Sequence, residues 1–235
     1  NILSADIFAE VNDKNVISIL KENGDFRSSE CIELLKQSDI VVTNPPFSLF
    51  REYLAQLDKY EKQFVILGNT NALTYKETFK MFKEDKIRTG YTNFNVGMYF
   101  SVPDSYEKYH HLEDGRKMVR VSTSCWFTNL PVKKHTEDLI LYKHYTSEEY
   151  PYYENFDAIN VNTYTDIPCD YDEIMGVPIT FLDKFNPCQF EILGMESSAS
   201  YDPAIVGIPR LKEGDARPAI NGKTTYARIF IRKKK

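Results

Sequence analysis

Asn44-Pro-Pro-Phe47 is the stretch of this chain whose residue types and order suit a definite chemistry. It follows the apolar, β-branched run from Asp39 to Thr43 and precedes Leu49, Phe50, Tyr53, Leu54 and Leu57, which recur at helical spacing. Two consecutive prolines fix φ twice and cannot continue a strand ladder, so a strand must end here. The residue before a proline is driven to extended geometry, which holds Asn44 at the strand's carboxyl end. In open α/β sheets that edge is where ligands bind. The loop would then present the Asn44 amide, the Pro45 carbonyl, the rigid Pro46 and the aromatic ring of Phe47. Such a set suits methyl transfer to a planar exocyclic amine, whose lone pair is delocalised into its ring. Two oxygens accepting its N–H bonds would pull the nitrogen towards tetrahedral geometry and stabilise the positive charge that develops. Phe47 would stack on a base swung out of its duplex, a contact worth about 1–3 kcal/mol. The competing reading, that the prolines only end a buried strand and Phe47 is core, is weakened by the strand before and the helix after.

Other residues are candidates for supporting roles. A carboxylate at Asp25, with Phe26 beside it, could accept from the adenine amine of S-adenosylmethionine and cover its ring. Asp6, after the apolar pair Ile2-Leu3, is a weaker candidate for the same acidic duty. The run Gly68-Asn-Thr-Asn71 would face the same cleft, although an asparagine-rich turn is its simpler reading. In the basic tail, Arg228, Arg232, Lys233 and Lys234 could contact a phosphate backbone, or could only keep the chain soluble. The adjacent His110 and His111, and the separate His135 and His144, have no Cys or acidic partner at metal-ligand spacing, so no metal site is expected and His135 and His144 are taken as surface residues. Trp126 is taken as core.

Around the proline motif the pattern is α-β-α-β-α. Ser28 or Ser29 can cap a helix carrying Ile32, Leu34 and Leu35. Ile40 to Thr43 is expected as a strand buried on both faces, and Gln63 to Gly68 as a second strand. Ser48 is placed to cap the intervening helix, and Thr74-Tyr-Lys-Glu77 has the form of a capping box for a helix reaching Lys83. Short connections between such elements imply right-handed crossovers and a parallel sheet. Beyond Tyr91, Gly97 to Val102 and Val119 to Thr128 look like an antiparallel strand pair. After Tyr150 the chain is rich in Pro, Tyr and Asn, and Asn221-Gly222 signals a hairpin turn. The expected domains are residues 1–145, catalytic, and 146–235, an irregular, β-leaning region for DNA recognition.

Charge and composition bound the function further. The net charge is −5, yet residues 146–205 hold twelve acidic side chains against one basic, and residues 206–235 hold nine basic against two acidic. The acidic block cannot lie on a phosphate backbone; the tail can. No apolar run approaches the roughly 18 residues of a helical membrane span. Cys31, Cys125, Cys169 and Cys188 lie far apart with no CxxC pair, which suggests reduced thiols in a cytoplasmic protein.

Larger stretches carry a resemblance. Gly24 to Glu30, Ser38 to Tyr53 with the Asn-Pro-Pro-Phe run inside it, Ile140 to Val161, Met175 to Pro187 and the closing Asn221-Gly-Lys and Arg228 to Ile231 resemble the EcoRI-type adenine-specific DNA methyltransferases. The resemblance implies a Rossmann-like, mostly parallel methyltransferase sheet with an antiparallel strand near its end. It implies S-adenosylmethionine as cofactor, base flipping, and methylation of adenine N6 in duplex DNA within bacterial restriction–modification; the loop chemistry itself requires no metal, and a monomer acting away from membranes is expected. Asn44, Pro45, Pro46 and Phe47 match the family's catalytic motif. That motif class also serves methyltransferases acting on RNA and on protein glutamine, and a DNA-binding relic without cofactor is a further alternative. Residues 1 to 23 fit the family poorly. Since only 43 residues precede Asn44, the chain is expected to lack the first strands of the sheet.

Overall fold

The computed structural model describes residue 20 and residues 24–196, 207–211 and 217–234. The chain forms two compact units, Asn1–Asp39 and Ile40–Lys235. In the first, helix α1 (Ser29–Gln37) starts where the sequence expects it, because the Ser28 hydroxyl accepts from Cys31 N at 3.2 Å. Of its apolar positions Leu35 is buried and Leu34 is 51% exposed.

The second unit is built on a mixed sheet with strand order β1-β2-β7-β3: Ile40–Thr43, Gln63–Asn69, Ser124–Thr128 and Arg88–Thr89. Strands β1 and β2 run parallel, but β7 is antiparallel to both β2 and β3. The described sheet is therefore not mostly parallel. The chain reaches β7 directly from an antiparallel ribbon, without a crossover helix, so β7 enters reversed. Strand β1 is not buried on both faces either. Among the described residues it pairs only with β2, and Ile40 and Val42 are 46% and 69% exposed.

Helices α2 (Phe50–Lys59) and α3 (Lys76–Lys83) contribute Phe50, Leu54 and Leu57, and Phe79 and Phe82, to the core. The Phe127 ring on β7 lies 5.0 Å from Phe50 and 6.3 Å from Phe82, centroid to centroid. Neither predicted cap forms. A 3₁₀ turn, Phe47–Leu49, precedes α2 and displaces Ser48 from the cap position, leaving Leu49 there. Thr74 closes another 3₁₀ turn, Thr70–Thr74, and its hydroxyl donates to Asn71 O, so the capping box is replaced by that turn.

The ribbon comprises β4 (Met98–Val102), β5 (His111–Glu113) and β6 (Arg116–Val121), in the order β4-β6-β5. The antiparallel partner of β4 is as expected, but the run from Val119 to Thr128 is broken at Ser122-Thr123 into β6 and β7, which belong to different sheets. Trp126 is only half-buried. A third sheet, order β10-β13-β9-β8, joins Phe190–Glu196, Arg228–Lys233, Met175–Pro178 and Ile159–Asn160. Between β10 and β13 in sequence come β11 (Ala219–Ile220) and β12 (Lys223–Thr224), a hairpin whose Asn221 and Gly222 both have positive φ, as an Asn-Gly turn requires.

Buried polar contacts fasten the third sheet's connections to the first. Lys134 Nζ lies 2.9 Å from Asp183 Oδ1, and Asp183 Oδ2 accepts from Phe94 N at 3.1 Å. His135 is not a surface residue. It is 2% exposed, with Nδ1 2.9 Å from Phe185 O and Nε2 3.0 Å from Thr89 O. Burial lowers its pKa, since charging the ring would require desolvating an imidazolium.

Candidate active site

The parallel pair sets the geometry. In register, Thr43 lies opposite Ile66, so the chain leaves β1 at Asn44 on the edge where β2 ends in Asn69. Asn44 is exposed, and among the described residues its side chain enters no hydrogen bond. Pro45 is buried and anchors the loop. Pro46 has φ −56° and ψ 122°, and its carbonyl is consumed by Leu49 N at 2.9 Å, closing the 3₁₀ turn. Among the described residues the Pro45 carbonyl takes part in no backbone hydrogen bond. Phe47, at the start of that turn, is 40% exposed. Among the described residues, two oxygens outside any hydrogen bond thus stand in one loop with a part-exposed aromatic ring, while the next residue but two, Phe50, is packed at 1% exposure.

Gly68 is what lets Phe50 sit there. A Cβ at this position would lie 2.5 Å from Phe50 Cε2 and 2.8 Å from Phe127 Cε2. The glycine is therefore a packing requirement of the helix that follows the loop. The Asn69 side chain does not line a pocket; its oxygen accepts from Asn71 N at 2.9 Å and caps the 3₁₀ turn.

Asp25 and Phe26 lie in the first unit and Asp6 lies outside the described residues. Asp25 is gripped by Arg27, whose Nη2 and Nε approach its two oxygens at 2.7 and 2.9 Å, and the Arg27 backbone N–H adds a third bond. These bonds hold its carboxyl down at about 2. The guanidinium also lies over the Phe26 ring, 5.4 Å from its centroid.

Comparison with known sequences decides the family. The profile described as adenine-specific methyltransferase EcoRI matches residues 3–234. The chain belongs to the EcoRI adenine-specific methyltransferase family. It is 48% identical over 219 residues to the Type II methyltransferase M.EcoRI of Escherichia coli, an alignment covering 91% of this chain and 63% of that protein. It is 39% identical over 244 residues to the Type II methyltransferase M.MgeORF184P of Mycoplasma genitalium, covering 99% of this chain and 76% of that protein. The chain thus spans less than two thirds of the Escherichia coli relative. The family match begins at residue 3, so the expectation that residues 1 to 23 fit the family poorly is overturned. No solved structure matches the chain with significance. No helix among the described residues is long and apolar enough to cross a membrane.

In this EcoRI-family chain the basic tail is built differently from its sequence reading. Strand β13 is central in its sheet, and Arg228 is 8% exposed, donating through Nε to Asn160 Oδ1 at 3.1 Å. Arg228 is accordingly a buried bonding partner and leaves the set of phosphate contacts. Arg232 is half-exposed and pairs with Glu191 at 2.9 Å. Lys233 is turned inward, donating to Cys169 O and pairing with Asp172 at 3.1 Å. Among the described residues Lys234 is exposed and in no ion pair.

The fold also assembles a group that sequence spacing hid. His144, Cys169 and Asp170 converge, although Cys169 and Asp170 follow His144 by 25 and 26 residues. The signal was absent because the two segments, far apart in sequence, are joined by tertiary contacts that begin with a bridge between Lys143 and Pro168.

Proposed function

We propose that this chain carries the catalytic loop of a DNA N6-adenine methyltransferase of restriction–modification type, acting on an adenine flipped from duplex DNA. One observation carries the reading: the Asn44 amide and the Pro45 carbonyl stand unengaged beside a part-exposed Phe47 at the carboxyl edge of a parallel strand pair. The Asn44 Oδ1 and Pro45 O accept the two N–H bonds of the target amine and draw its lone pair out of conjugation. Phe47 stacks on the extruded base, and the two prolines keep the acceptors fixed. As positive charge grows on the nitrogen, both oxygens bind it more strongly, which lowers the barrier selectively in the transition state. Parallel β1–β2 followed by antiparallel β7 would be part of a Rossmann-like sheet, and residues 146–235 would serve DNA recognition.

The donor set present fits the adenosine end of S-adenosylmethionine. Asp25 would accept from the adenine amine and the Phe26 ring would cover the base, each exchanging part of its contact with Arg27 for the cofactor. When bound, the cofactor supplies an electrophilic methyl group on its sulfonium. Arg232 and Lys234 are the tail cations proposed to meet phosphate.

The test is label transfer from tritiated S-adenosylmethionine to duplex DNA, with RNA and protein as parallel acceptors. Label is expected in DNA adenine, and Asn44→Ala should abolish it with an unchanged circular dichroism spectrum. Full transfer by Asn44→Ala would sink the mechanism. Label in RNA or protein alone would sink the substrate, and absence of cofactor binding on direct titration would favour a DNA-binding relic.

A further inference from the structure

We propose that His144, Cys169 and Asp170 form a binding site for one zinc ion, unrelated to the methyl-transfer loop. His144 Nδ1 lies 3.0 Å from Asp170 Oδ2 and 3.8 Å from Cys169 Sγ, and the three ligand atoms all fall within 4.8 Å of one another. Zinc bonds of about 2.0–2.1 Å to nitrogen and oxygen and about 2.3 Å to sulfur imply tetrahedral edges of about 3.3 Å for N···O and about 3.6 Å for S···N. The two measured edges depart from these by a few tenths of an ångström.

The way the groups meet separates a metal site from a nucleophile relay. In a thiol–imidazole–carboxylate relay the thiol addresses one ring nitrogen and the carboxylate the other. Here Sγ and Oδ2 both approach Nδ1, so the three atoms converge on a point. A mixed S, N and O set is borderline soft and suits zinc better than magnesium or calcium, which take oxygen alone.

The ligands are held by their backbones. Lys143 and Pro168 form a parallel bridge, and Cys169 N donates to Lys143 O at 2.8 Å. Asp170 Oδ1 accepts from Tyr145 N at 2.8 Å, which orients the carboxylate and leaves Oδ2 for the cation. Lys233 ties the Cys169 carbonyl to the last strand, and the Tyr145 and Tyr171 rings pack 4.7 Å apart across the junction. His144 and Asp170 keep side-chain exposures of 75% and 48%, so water can complete the coordination. The site also lies in or beside the block where twelve acidic residues face one basic, a field that concentrates cations. On binding, the Cys169 thiol gives its proton to solvent, and the neutral imidazole carries its proton on Nε2 so that Nδ1 can donate its lone pair.

Cobalt(II) titration of the full chain tests this, since a thiolate ligand gives cobalt a charge-transfer band in the near ultraviolet. One cobalt per chain, displaced by zinc, is expected. Cys169→Ser should abolish the band, whereas Cys188→Ser, which removes an exposed thiol elsewhere, should keep it. His144→Ala and Asp170→Asn should each weaken cobalt binding by roughly tenfold or more. Circular dichroism of each metal-free variant checks that the fold survives. Absence of the band in the native chain, or its persistence in Cys169→Ser, overturns the proposal.

Discussion

Gly68→Ala is the substitution that links packing to chemistry most directly. Its new Cβ would sit 2.5 and 2.9 Å from Phe50 Cε2 and Cζ and 2.8 Å from Phe127 Cε2. Ordinary carbon contacts lie at about 3.5–4.0 Å, so the Phe50 ring must retreat by about 1 Å. Phe50 opens α2 three residues after Phe47, and only the tight turn Phe47–Leu49 lies between them. Overpacking of this kind costs about 1–3 kcal/mol, or a fall in Tm of roughly 2–12 °C for a chain of this size. A misplacement of about 1 Å in a positioning element costs about a hundredfold in rate. Thermal unfolding and single-turnover methyl transfer should therefore show a folded, mildly destabilised protein with a rate about a hundredfold lower. Phe50→Leu placed in the same chain makes room for the methyl group and should recover part of the stability. A variant that loses stability yet transfers methyl at the native rate would refute the claim that Phe50 sets the loop. One with native stability would refute the packing argument itself.

Two further outcomes follow from buried polar groups. Asp183→Ala strands the Lys134 ammonium and the Phe94 N–H in a site where the paired side chains are 11% and 4% exposed, and should lower stability by about 3–5 kcal/mol in urea unfolding. A loss below about 1 kcal/mol would mean that the pair is not a fastening between the sheets. For His135, burial lowers the folded pKa below 6.5, so the fold binds fewer protons than the unfolded chain. Its contribution is complete above pH 6.5 and is lost as pH falls through the folded value. Nuclear magnetic resonance titration of the ring should give a midpoint below 6.5, and a midpoint above it would reverse the sign.

The proline loop was legible because its constraints are local. Two prolines dictate a strand end whatever surrounds them, and the amphipathic spacing of Phe50, Leu54 and Leu57 needs no knowledge of the sheet. The Asn221-Gly222 turn and the Ser28 cap were readable for the same reason. What failed depended on neighbours distant in sequence. Val42 has the residue type of a buried strand, but burial is decided by which strand lies beside it. Arg228 belongs to a basic run, yet β13 became a central strand and drew its guanidinium to Asn160. Thr74 had a capping partner in Glu77, and lost to a 3₁₀ turn started by Asn69. His135 and His144 carry no local signal at all, since their partners come from residues at least 25 positions away.

Pro45 and Pro46 have one more consequence, and it is entropic. Ordering a residue's backbone costs about 1–2 kcal/mol at 25 °C, and a loop that freezes only when its ligand arrives loses that much affinity for each residue frozen. With φ fixed by two rings, most of that ordering has already occurred in the free protein. A base bound there as proposed would surrender its own freedom, but the loop would surrender almost none. Replacing either proline by alanine could leave every contact in place and still weaken binding, increasingly so as temperature rises.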